Sequence, residues 1–440
     1  MADVEKLLIV GSGGREFALI DEAIRSGVSN VYSTRGENAV NIGIEGVVNT
    51  GLGEDPNEIA SWAQLEEMDL VIVGTEKPLV NGIGELIRSR GVPVFGPNSD
   101  GAVFEADKTI THDFVSRHGL PNPNDSETYS PDQVDGAKDH IRELGVERIV
   151  TKRVGMEGGK GVRTYESHEL DDALNEVDAV AEKNEKLLIQ GRLLGPEYSA
   201  TFMLDGRGNV VATALSRDHK SLYEDGVGPM TGGMGAFAPL SLDQANLERR
   251  SDIEEIGLQI AEGLVEDGID YRGALYAGLM AETEDPNSRL RILEFNVRFG
   301  DPETQVLLHS LGDKAIEYMY SAAQGSLDMD LNRLYSIAGQ ELVSMTVCLA
   351  SPGYAEGDIV TGLPIHVPDD LPSDVSIQFA GAKMKDRKPV STGGRVAYIT
   401  KTAPISEVRS VYEHIGRENR GIYIGDNEQV IRNDIGRIGM

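Results

Sequence analysis

Hydrophobic residues form short uninterrupted runs in the first hundred positions, and polar or glycine-rich turns follow them. Residues 7–10 and 69–74 contain the strongest runs of this kind, and 31–33 and 93–97 contain weaker ones. Helical stretches separate the runs, and the first extends to about Ser26. Buried strands that alternate with helices predict an α/β fold with a doubly wound parallel sheet. Ligands of such sheets bind outside the carboxyl ends of the strands.

The turn after the first strand combines glycines with a charged pair, at Gly13, Gly14, Arg15 and Glu16. Such glycines let the backbone approach a ligand, and the helix N-terminus that follows favours a phosphate. A nicotinamide dehydrogenase would need G-x-G-x-x-G, and the third glycine is missing. We therefore expect a single phosphate here. Glu76 follows the 69–74 strand at the same sheet edge, where it could accept hydrogen bonds from a sugar hydroxyl or an amine.

A break at residues 119–124 precedes a small α/β unit, with a helix predicted over about 131–144 and a strand at 148–152. The loop after Lys152 is rich in glycine and carries a lysine, at Gly155, Gly158, Gly159, Lys160 and Gly161. Backbone N–H groups and a cation in such a loop can cover the phosphates of ATP. It is not a Walker A loop, because Gly-Lys is followed by Gly. A plain hairpin turn would not need so many glycines.

The middle of the chain adds polar residues around a second glycine-rich run at 225–236. Gln190 ends a predicted strand, where a purine ring could meet backbone groups, and Glu197 could then reach a ribose. His219 has no accompanying Ser or Cys nucleophile pattern and is a weak catalytic candidate. The whole glycine-rich run predicts an extended loop that faces the substrate.

Residues 290–304 carry the most specific local chemistry. The first half alternates like a strand, so Glu294 and Asn296 share one face. Carboxylate and amide oxygens suit magnesium, and Arg298 suits a phosphate. The strand before it, at 271–282, would form a hairpin with it and bring Glu282 near Glu294 as a second carboxylate. A strand end with solvated polar residues is the alternative interpretation.

Composition limits the possible partners and location. The 440 residues are enough for two to four domains. A formal charge of −31, with acids spread along the chain, argues against nucleic acid and suggests a salt-rich cytoplasm. The single cysteine, Cys348, excludes an internal disulfide framework. No apolar run is long enough to span a membrane, and the start lacks signal-peptide features, so we expect a cytoplasmic protein without a membrane partner.

With these motifs in order, the sequence resembles the phosphoribosylamine–glycine ligase family of ATP-grasp enzymes over nearly its whole length. The most specific matches are Thr231-Gly232-Gly233-Met234-Gly235, residues 275–280, and residues 294–305. The resemblance implies an N-terminal doubly wound parallel sheet, an ATP-grasp core with a small lid domain, and an α+β C-terminal domain. The implied domains are 1–105 for phosphoribosylamine binding, 106–120 with 190–328 for the ATP-grasp core, 121–189 for the lid, and 329–440.

The resemblance further implies a ligase that joins glycine to 5-phosphoribosylamine through a glycyl phosphate, with ATP and one or two Mg²⁺ or Mn²⁺ ions. The products would be glycinamide ribonucleotide, ADP and phosphate, in de novo purine biosynthesis. The implied roles are catalysis for Arg298, Asp218, Lys220 and Asp301; ATP binding for Lys108, Lys152, Gly158, Gly159, Lys160, Gly161, Gln190 and Glu197; phosphoribosyl binding for Gly13, Gly14, Arg15, Glu16 and Glu76; and metal binding for Glu282, Glu294 and Asn296.

The chain departs from the family pattern at several positions. Phe17 replaces a usual histidine, Met230 a usual asparagine, and Gln190-Gly191 the paired glutamates common at the adenine hinge. Residues 153–154 and 156–157 in the lid loop also differ. Another ATP-grasp carboxylate–amine ligase is the strongest alternative. A non-catalytic binding module would have no reason to keep lysines, glycine loop and carboxylates together.

Overall fold

The computed structural model describes residues 4–34, 46–154, 161–238, 244–285, 288–327 and 342–437. Within them, the main architecture consists of four sheets of four or five strands, together with two two-stranded sheets, β17-β22 and β19-β20. The strands are β1 Lys6–Val10, β2 Asn30–Ser33, β3 Val47–Asn49, β4 Leu70–Val73, β5 Val94–Phe95, β6 Glu127–Tyr129, β7 Ile149–Arg153, β8 Val162–Thr164, β9 Leu187–Gly191, β10 Glu197–Asp205, β11 Val210–Ala212, β12 Arg217–Asp218, β13 Gly235–Ala238, β14 Arg272–Ala281, β15 Leu290–Asn296, β16 Leu342–Ala350, β17 Ile365–His366, β18 Val375–Phe379, β19 Ala382–Lys385, β20 Lys388–Ser391, β21 Arg395–Pro404 and β22 Tyr423–Ile424.

Twelve α-helices lie among the described residues. They are α1 Gly14–Arg25, α2 Pro56–Leu65, α3 Glu76–Val80, α4 Ile83–Ser89, α5 Ser99–Ala106, α6 Lys108–Arg117, α7 Val134–Leu144, α8 Leu170–Glu182, α9 Gln244–Glu266, α10 Glu303–Leu311, α11 Ala315–Gln324 and α12 Ile405–Val408. The last of them, α12, is a single turn, and a 3₁₀ segment at Arg409–His414 follows it.

The N-terminal sheet has the strand order β3-β2-β1-β4-β5, and all its pairs are parallel. Its central strands are the two strongest hydrophobic runs, and their side chains are buried on both faces. Continuous apolar runs are what a sheet covered on both sides requires. The predicted parallel α/β fold is therefore confirmed. The glycine turn lies at the carboxyl end of β1, and α3 begins with Glu76 after β4.

A second sheet, β6-β9-β7-β8, forms the small unit between residues 127 and 191, and α7 packs on α8 beside it. The predicted helix at 131–144 corresponds to α7, and the strand at 148–152 to β7. Gly158, Gly159 and Lys160 of the glycine loop lie outside the described residues, whereas Gly161 directly precedes β8.

The third sheet is antiparallel, with the order β11-β10-β14-β15, and its last two strands form the predicted hairpin. Glu294 pairs with Gly278, and the backbone N–H of Glu282 donates to the carbonyl of Arg289 at 2.9 Å. The expectation that Glu282 lies near Glu294 is therefore wrong. In a hairpin, partners are equally far from the turn, so a residue beside the turn cannot face one near the far end.

The fourth sheet, β12-β13-β16-β21-β18, combines strands from two distant parts of the chain. Strand β13 pairs with β16, with Gly235 opposite Val347, so the second glycine-rich run is tied to the C-terminal strands. This sheet therefore has strands from both sides of the predicted domain boundary near residue 329. Across the described ranges, no helix combines the length and apolar character needed to cross a membrane.

Candidate active site

All four sheets contribute to one cavity of about 970 Å³. Most of the residues singled out from the sequence line it. Those residues are Gly13, Arg15, Glu16, Glu76, Lys108, Lys152, Gln190, Glu197, Asp218, Lys220, Glu294, Asn296, Arg298 and Asp301. These residues are far apart in the chain, so it is the fold that brings them together in one cavity.

Glu294 lies among four cationic side chains. The ammonium of Lys108 is 3.7 Å from its Oε2. Burial alone would raise the pKa of Glu294, but the charges of Lys220, Lys108, Lys152 and Arg298 lower that pKa to about 2. The carboxylate therefore stays ionised at any working pH, as a metal ligand must. Two of the four cations have a carboxylate partner of their own, because Lys220 is paired with Glu197 and Arg298 with Glu105. Lys108 and Lys152 are thus the cations beside Glu294 that suit the phosphate oxygens of a ligand.

Lys152 and Lys220 show opposite effects of the same buried setting. Burial lowers the pKa of Lys152 to about 8, and its ammonium donates to the carbonyl of Leu293 at 2.7 Å. Burial acts in the same direction on Lys220, but Glu197, with which it forms an ion pair, raises the pKa of Lys220 well above its ordinary value. Lys152 is thus the cation with the least local compensation.

Asn296 follows Glu294 on the same face of β15, and both line the cavity as the strand period predicts. No cluster of three or more His, Cys, Asp or Glu side chains that could hold a metal is found in the part of the chain that the structure describes. Two oxygen ligands fit a magnesium ion that takes its other ligands from phosphate oxygens and water. The donor set therefore fits a nucleotide-bound cation better than a metal caged by protein alone.

Glu282 lies apart from this pair and does not line the cavity. Its Oε1 accepts hydrogen bonds from Arg291 at 2.9 Å and from Asn124 at 3.1 Å. The hydrogen bond from Arg291 is the main cause that lowers the pKa of Glu282. Glu282 is therefore an ion-pair partner on the outer part of the hairpin, and its proposed metal role is corrected.

Arg298 is held by a residue that the sequence reasoning missed. Its Nη2 donates to Oε1 of Glu105 at 2.7 Å, and its Nη1 donates to the carbonyl of Phe299 at 3.2 Å. Its Nε lies 3.7 Å from Oε2 of Glu76. Glu105 also lines the cavity. A single glutamate near the end of a helix carries no sequence signal of this role.

Asp301 is paired with Arg395 of β21, a second residue that the sequence reasoning did not assign to the site. Arg395 Nη2 donates to Asp301 Oδ2 at 3.1 Å, and Gln305 Nε2 donates to Oδ1 at 2.7 Å. Burial would raise the pKa of Asp301, but Arg395 and then Arg15 keep it below its ordinary value. The C-terminal region thus supplies a wall of the cavity.

Asp218 has a buried oxygen, Oδ1, that makes no hydrogen bond. Burial and then the charge of Glu303 raise the pKa of Asp218 well above its ordinary value. Glu303 itself accepts a hydrogen bond from Ser199, whose hydroxyl is 2.9 Å from that of Tyr276. An unsatisfied buried acceptor is costly unless a ligand donates to it, so this corner suits an amine or ammonium group.

The turn after β1 forms the end of the cavity nearest the N-terminal sheet. Arg15 donates from Nε to Glu16 at 2.8 Å and from Nη1 to the carbonyl of Phe299 at 2.9 Å. Gly13 N–H donates to the Glu16 carboxylate at 2.5 Å. Gly14 differs from these residues. A Cβ there would lie 2.4 Å from the ring of Tyr398, so the close approach needs a glycine and Gly14 serves packing.

The departures from the family pattern have clear positions. Phe17 is buried against Phe379, with ring centroids 5.9 Å apart, which agrees with a structural replacement. Met230 is 62% exposed and lies at the cavity wall. Gln190 also lines the cavity, and its Oε1 is buried without a hydrogen-bond partner. That acceptor fits a ligand with an amino group, such as adenine.

The fold and the cavity together define the class of protein. A parallel-sheet domain, a small covering unit, and lysines around a Glu-x-Asn strand end are those of an ATP-grasp enzyme. The structure matches a biotin carboxylase from Campylobacter jejuni with a TM-score of 0.68 at 15% identity, covering 98% of this chain and 92% of that one, which shows the fold alone. The family model for the N domain of phosphoribosylglycinamide synthetase matches residues 5–105, and the model for the ATP-grasp (A) domain of the same enzyme family matches residues 106–304. The chain belongs to the phosphoribosylamine–glycine ligase family.

Relatives support this placement over most of the chain. It is 34% identical to the phosphoribosylamine–glycine ligase of Escherichia coli K12 over 402 residues, 90% of either protein. It is 35% identical over 413 residues to a trifunctional purine biosynthetic protein of Drosophila pseudoobscura, and spans 28% of that protein's length. A phosphoribosylamine–glycine ligase structure from Thermotoga maritima matches with a TM-score of 0.76 at 25% identity, covering 98% of this chain and 99% of that one.

Proposed function

We propose that the protein joins glycine to 5-phosphoribosylamine at the expense of ATP, giving glycinamide ribonucleotide, ADP and phosphate for purine biosynthesis. The observation that carries the proposal is the ionised Glu294 among Lys108, Lys152, Lys220 and Arg298. This arrangement provides both a candidate metal ligand and cationic side chains next to it, and phosphoryl transfer from ATP depends on both. The family membership supports the same substrates.

Each end of the cavity suits a different ligand. Gln190 and Glu197 lie where the adenosine part of ATP would bind, with Lys108 and Lys152 toward its phosphates. The glycine loop, of which the structure describes Gly161, would cover those phosphates. Arg15 and Glu76, with the turn after β1, would bind the phosphoribosyl group. The lining residues of both ends belong to one continuous cavity, so both ligands would meet near Glu294.

Glu294 and Asn296 would hold one or two magnesium or manganese ions. A bound ion would neutralise charge on the ATP phosphates. The two side chains project from the same face of a strand with a buried partner, so their separation is fixed before a ligand binds. A rigid pair of ligands reduces the reorganisation needed at the moment of reaction.

The reaction needs an activated carboxylate, because the carboxylate of glycine is a poor electrophile. An oxygen of that carboxylate would attack the γ-phosphorus, releasing ADP and forming glycyl phosphate. The amine of phosphoribosylamine would then attack the carbonyl carbon, and phosphate would leave. Arg298 would stabilise the charge on the transferred group, while Asp218, Lys220 and Asp301 would orient the small substrates. Closure of the lid would exclude water, which hydrolyses acyl phosphates.

ADP release with each component omitted in turn tests the proposal. We expect release only when magnesium, glycine and phosphoribosylamine are all present. ADP release that does not depend on glycine would contradict it. Faster release with another carboxylate or another amine would instead favour a different ATP-grasp ligase, which is the second candidate.

The domain division at residues 105, 120, 189 and 328 and the cytoplasmic location belong to this proposal. The four sheets support the division with two exceptions: the boundary at 189 falls inside β9, and β12 and β13 pair with C-terminal strands. Limited proteolysis tests it: cuts that accumulate near residue 120 and just after β9 would support a separate lid, and a uniform pattern would contradict it.

A further inference from the structure

We propose that Glu105 is a positioning residue that sets the orientation of Arg298 and the path of the chain after β15. This inference rests on the proposed role of Arg298 in phosphoryl transfer. It concerns a residue outside the glycine loop, the lysines and the metal ligands. Its basis is the way in which the two carboxylate oxygens of Glu105 are used.

The two oxygens of Glu105 bind two consecutive residues. Oε1 accepts from Arg298 Nη2 at 2.7 Å, and Oε2 accepts from the backbone N–H of Val297 at 2.8 Å. One side chain therefore fixes both the guanidinium and the peptide that carries it. Val297 directly follows Asn296, so the same contact also limits the backbone freedom of that proposed metal ligand.

The contact connects distant parts of the chain. Glu105 lies in the last turn of α5, and Arg298 lies 193 residues later. Asp107 caps the next helix, and Lys108 is the first residue of α6. The segment that presents Lys108 to the cavity is thus tied to the segment that presents Arg298. A shift of one would move the other, which couples two cations that both act on Glu294.

Burial makes this contact exacting. The side chain of Glu105 is 9% exposed, and burial raises its pKa while the Arg298 charge acts in the opposite direction. Two buried donors require two acceptors. A glutamine at this position offers one acceptor and one amide NH₂ group. Either Arg298 or the Val297 N–H would then face a donor, although the side-chain shape is unchanged.

The test compares Glu105→Gln, Arg298→Ala and the double variant by glycine-dependent ADP release. We expect Glu105→Gln to lower kcat by about 10- to 100-fold, as a displacement of about 1 Å does for a positioned group. KM for ATP should change by less than about twofold, since the loss falls on the transition state. In the Arg298→Ala background, the same change should lower kcat by less than about twofold, because the positioned group is gone.

Glu85→Gln, in α4, is a matched control. Glu85 accepts from the backbone N–H of Ser99, the first residue of α5, at 3.0 Å and from the Ser99 hydroxyl, so both of its oxygens also accept hydrogen bonds. It does not line the cavity, and we expect wild-type kcat. If Glu105→Gln does not fold, Glu105→Asp replaces it, because it keeps the charge while withdrawing the oxygens by one methylene.

The outcomes separate this role from the proposed function. Absence of glycine-dependent ADP release in the unmodified protein would overturn the function, and this role with it. An active protein whose Glu105 variants keep wild-type kcat would overturn the positioning role alone. Equal losses from Glu105→Gln with and without Arg298 would also overturn it, since a purely structural residue acts independently of Arg298.

Discussion

Glu294 faces Gly278 across the β14–β15 hairpin, and the pairing register changes directly after Gly278. A glycine opposite the carboxylate leaves the space in front of it open, because a Cβ there would approach Glu294 Cγ to 3.3 Å. Cationic side chains, and not a second carboxylate, lie around Glu294. The proposed metal site therefore consists of one carboxylate and one amide, and a bound ion would take its other ligands from the substrate and water.

Glu294→Gln should raise the metal concentration needed for half-maximal activity by more than about tenfold, which is the loss expected when even an outer-shell partner is removed. The side-chain volume is kept, but the loss of a carboxylate that four cations stabilise should lower the thermal unfolding midpoint, so activity is measured well below that temperature. A titration of ADP release against magnesium, at saturating ATP and glycine, measures the effect.

Glu282→Gln is the matched control for this titration, because Glu282 belongs to the same hairpin but pairs with Arg291. We expect its magnesium dependence to equal that of the wild type. If Glu282→Gln instead needed about tenfold more magnesium for half-maximal activity, Glu282 would be a metal ligand after all.

Arg298→Ala should lower kcat by about 10²-fold or more, the usual cost of losing a group that stabilises charge in the transition state. Arg291→Ala removes an arginine of similar burial from the strand just before it and should leave kcat within about threefold of wild type. Steady-state ADP release measures both variants. Near-wild-type turnover of Arg298→Ala would remove its proposed role.

Lys152 predicts an alkaline limit to ATP use. Its pKa is about 8, and it is charged below that pH and neutral above it. The value of kcat/KM for ATP, which reports the free enzyme, should therefore fall by up to about tenfold per pH unit above pH ~8. In Lys152→Arg the guanidinium stays charged, so the limb should move to higher pH. An unchanged limb in that variant would assign it to another group.

Local patterns were enough to predict the parallel sheet, the β14–β15 hairpin and part of the cavity lining, whereas the roles of Lys108, Lys152, Asp218, Lys220 and Asp301 came only from the family resemblance. Apolar runs reveal buried strands, and the two-residue period puts Glu294 and Asn296 on one face. Parallel strands then bring residues such as Arg15 and Glu76 to one edge. These relationships depend on neighbours in sequence or on general rules of sheet packing, so they need no knowledge of tertiary contacts.

Long-range contacts could not be predicted in this way. Glu105 and Arg395 lie 193 and 94 residues from their partners in the chain. Glu105 belongs to no periodic or glycine-rich pattern, and Arg395 follows Gly393 and Gly394, a turn signal that does not show which distant residue its side chain contacts. The hairpin partner of Glu294 depends on where the turn closes and on one irregularity in register. Because the expected pairing of the two strands differed from the observed pairing by a few residues, Glu282 was wrongly placed beside Glu294.

Arg395→Met should destabilise the protein by about 3 kcal/mol, because it leaves Asp301 as an unpaired buried carboxylate. Both side chains are less than a fifth exposed. Arg395 keeps the pKa of Asp301 below its ordinary value, so its stabilisation is present above pH ~4 and is lost as the pH falls through the folded pKa. Urea unfolding at pH 7 and at pH 3.5 measures the difference, which should shrink at the lower pH.

Lys401→Met is the control for that measurement. Lys401 lies on β21, as Arg395 does, and forms an ion pair with Asp374. Asp374 is 43% exposed, so solvent screens this pair. We expect a loss of about 1 kcal/mol or less. An equal loss in both variants would show that Arg395 contributes no more than a surface ion pair.

Gly14→Ala should destabilise the protein, since the new Cβ would lie 2.4 Å from a ring carbon of Tyr398. Overpacking of this kind costs about 1–3 kcal/mol, which outweighs the roughly 1 kcal/mol that alanine gains over glycine within a helix. Tyr398→Leu in the same chain should recover part of the loss, because it removes the ring. Gly136→Ala in α7 should be stabilising, as its Cβ would come no closer than 3.6 Å to a neighbour. A Gly14→Ala variant with wild-type stability and a raised KM for phosphoribosylamine alone would instead place Gly14 in the substrate site.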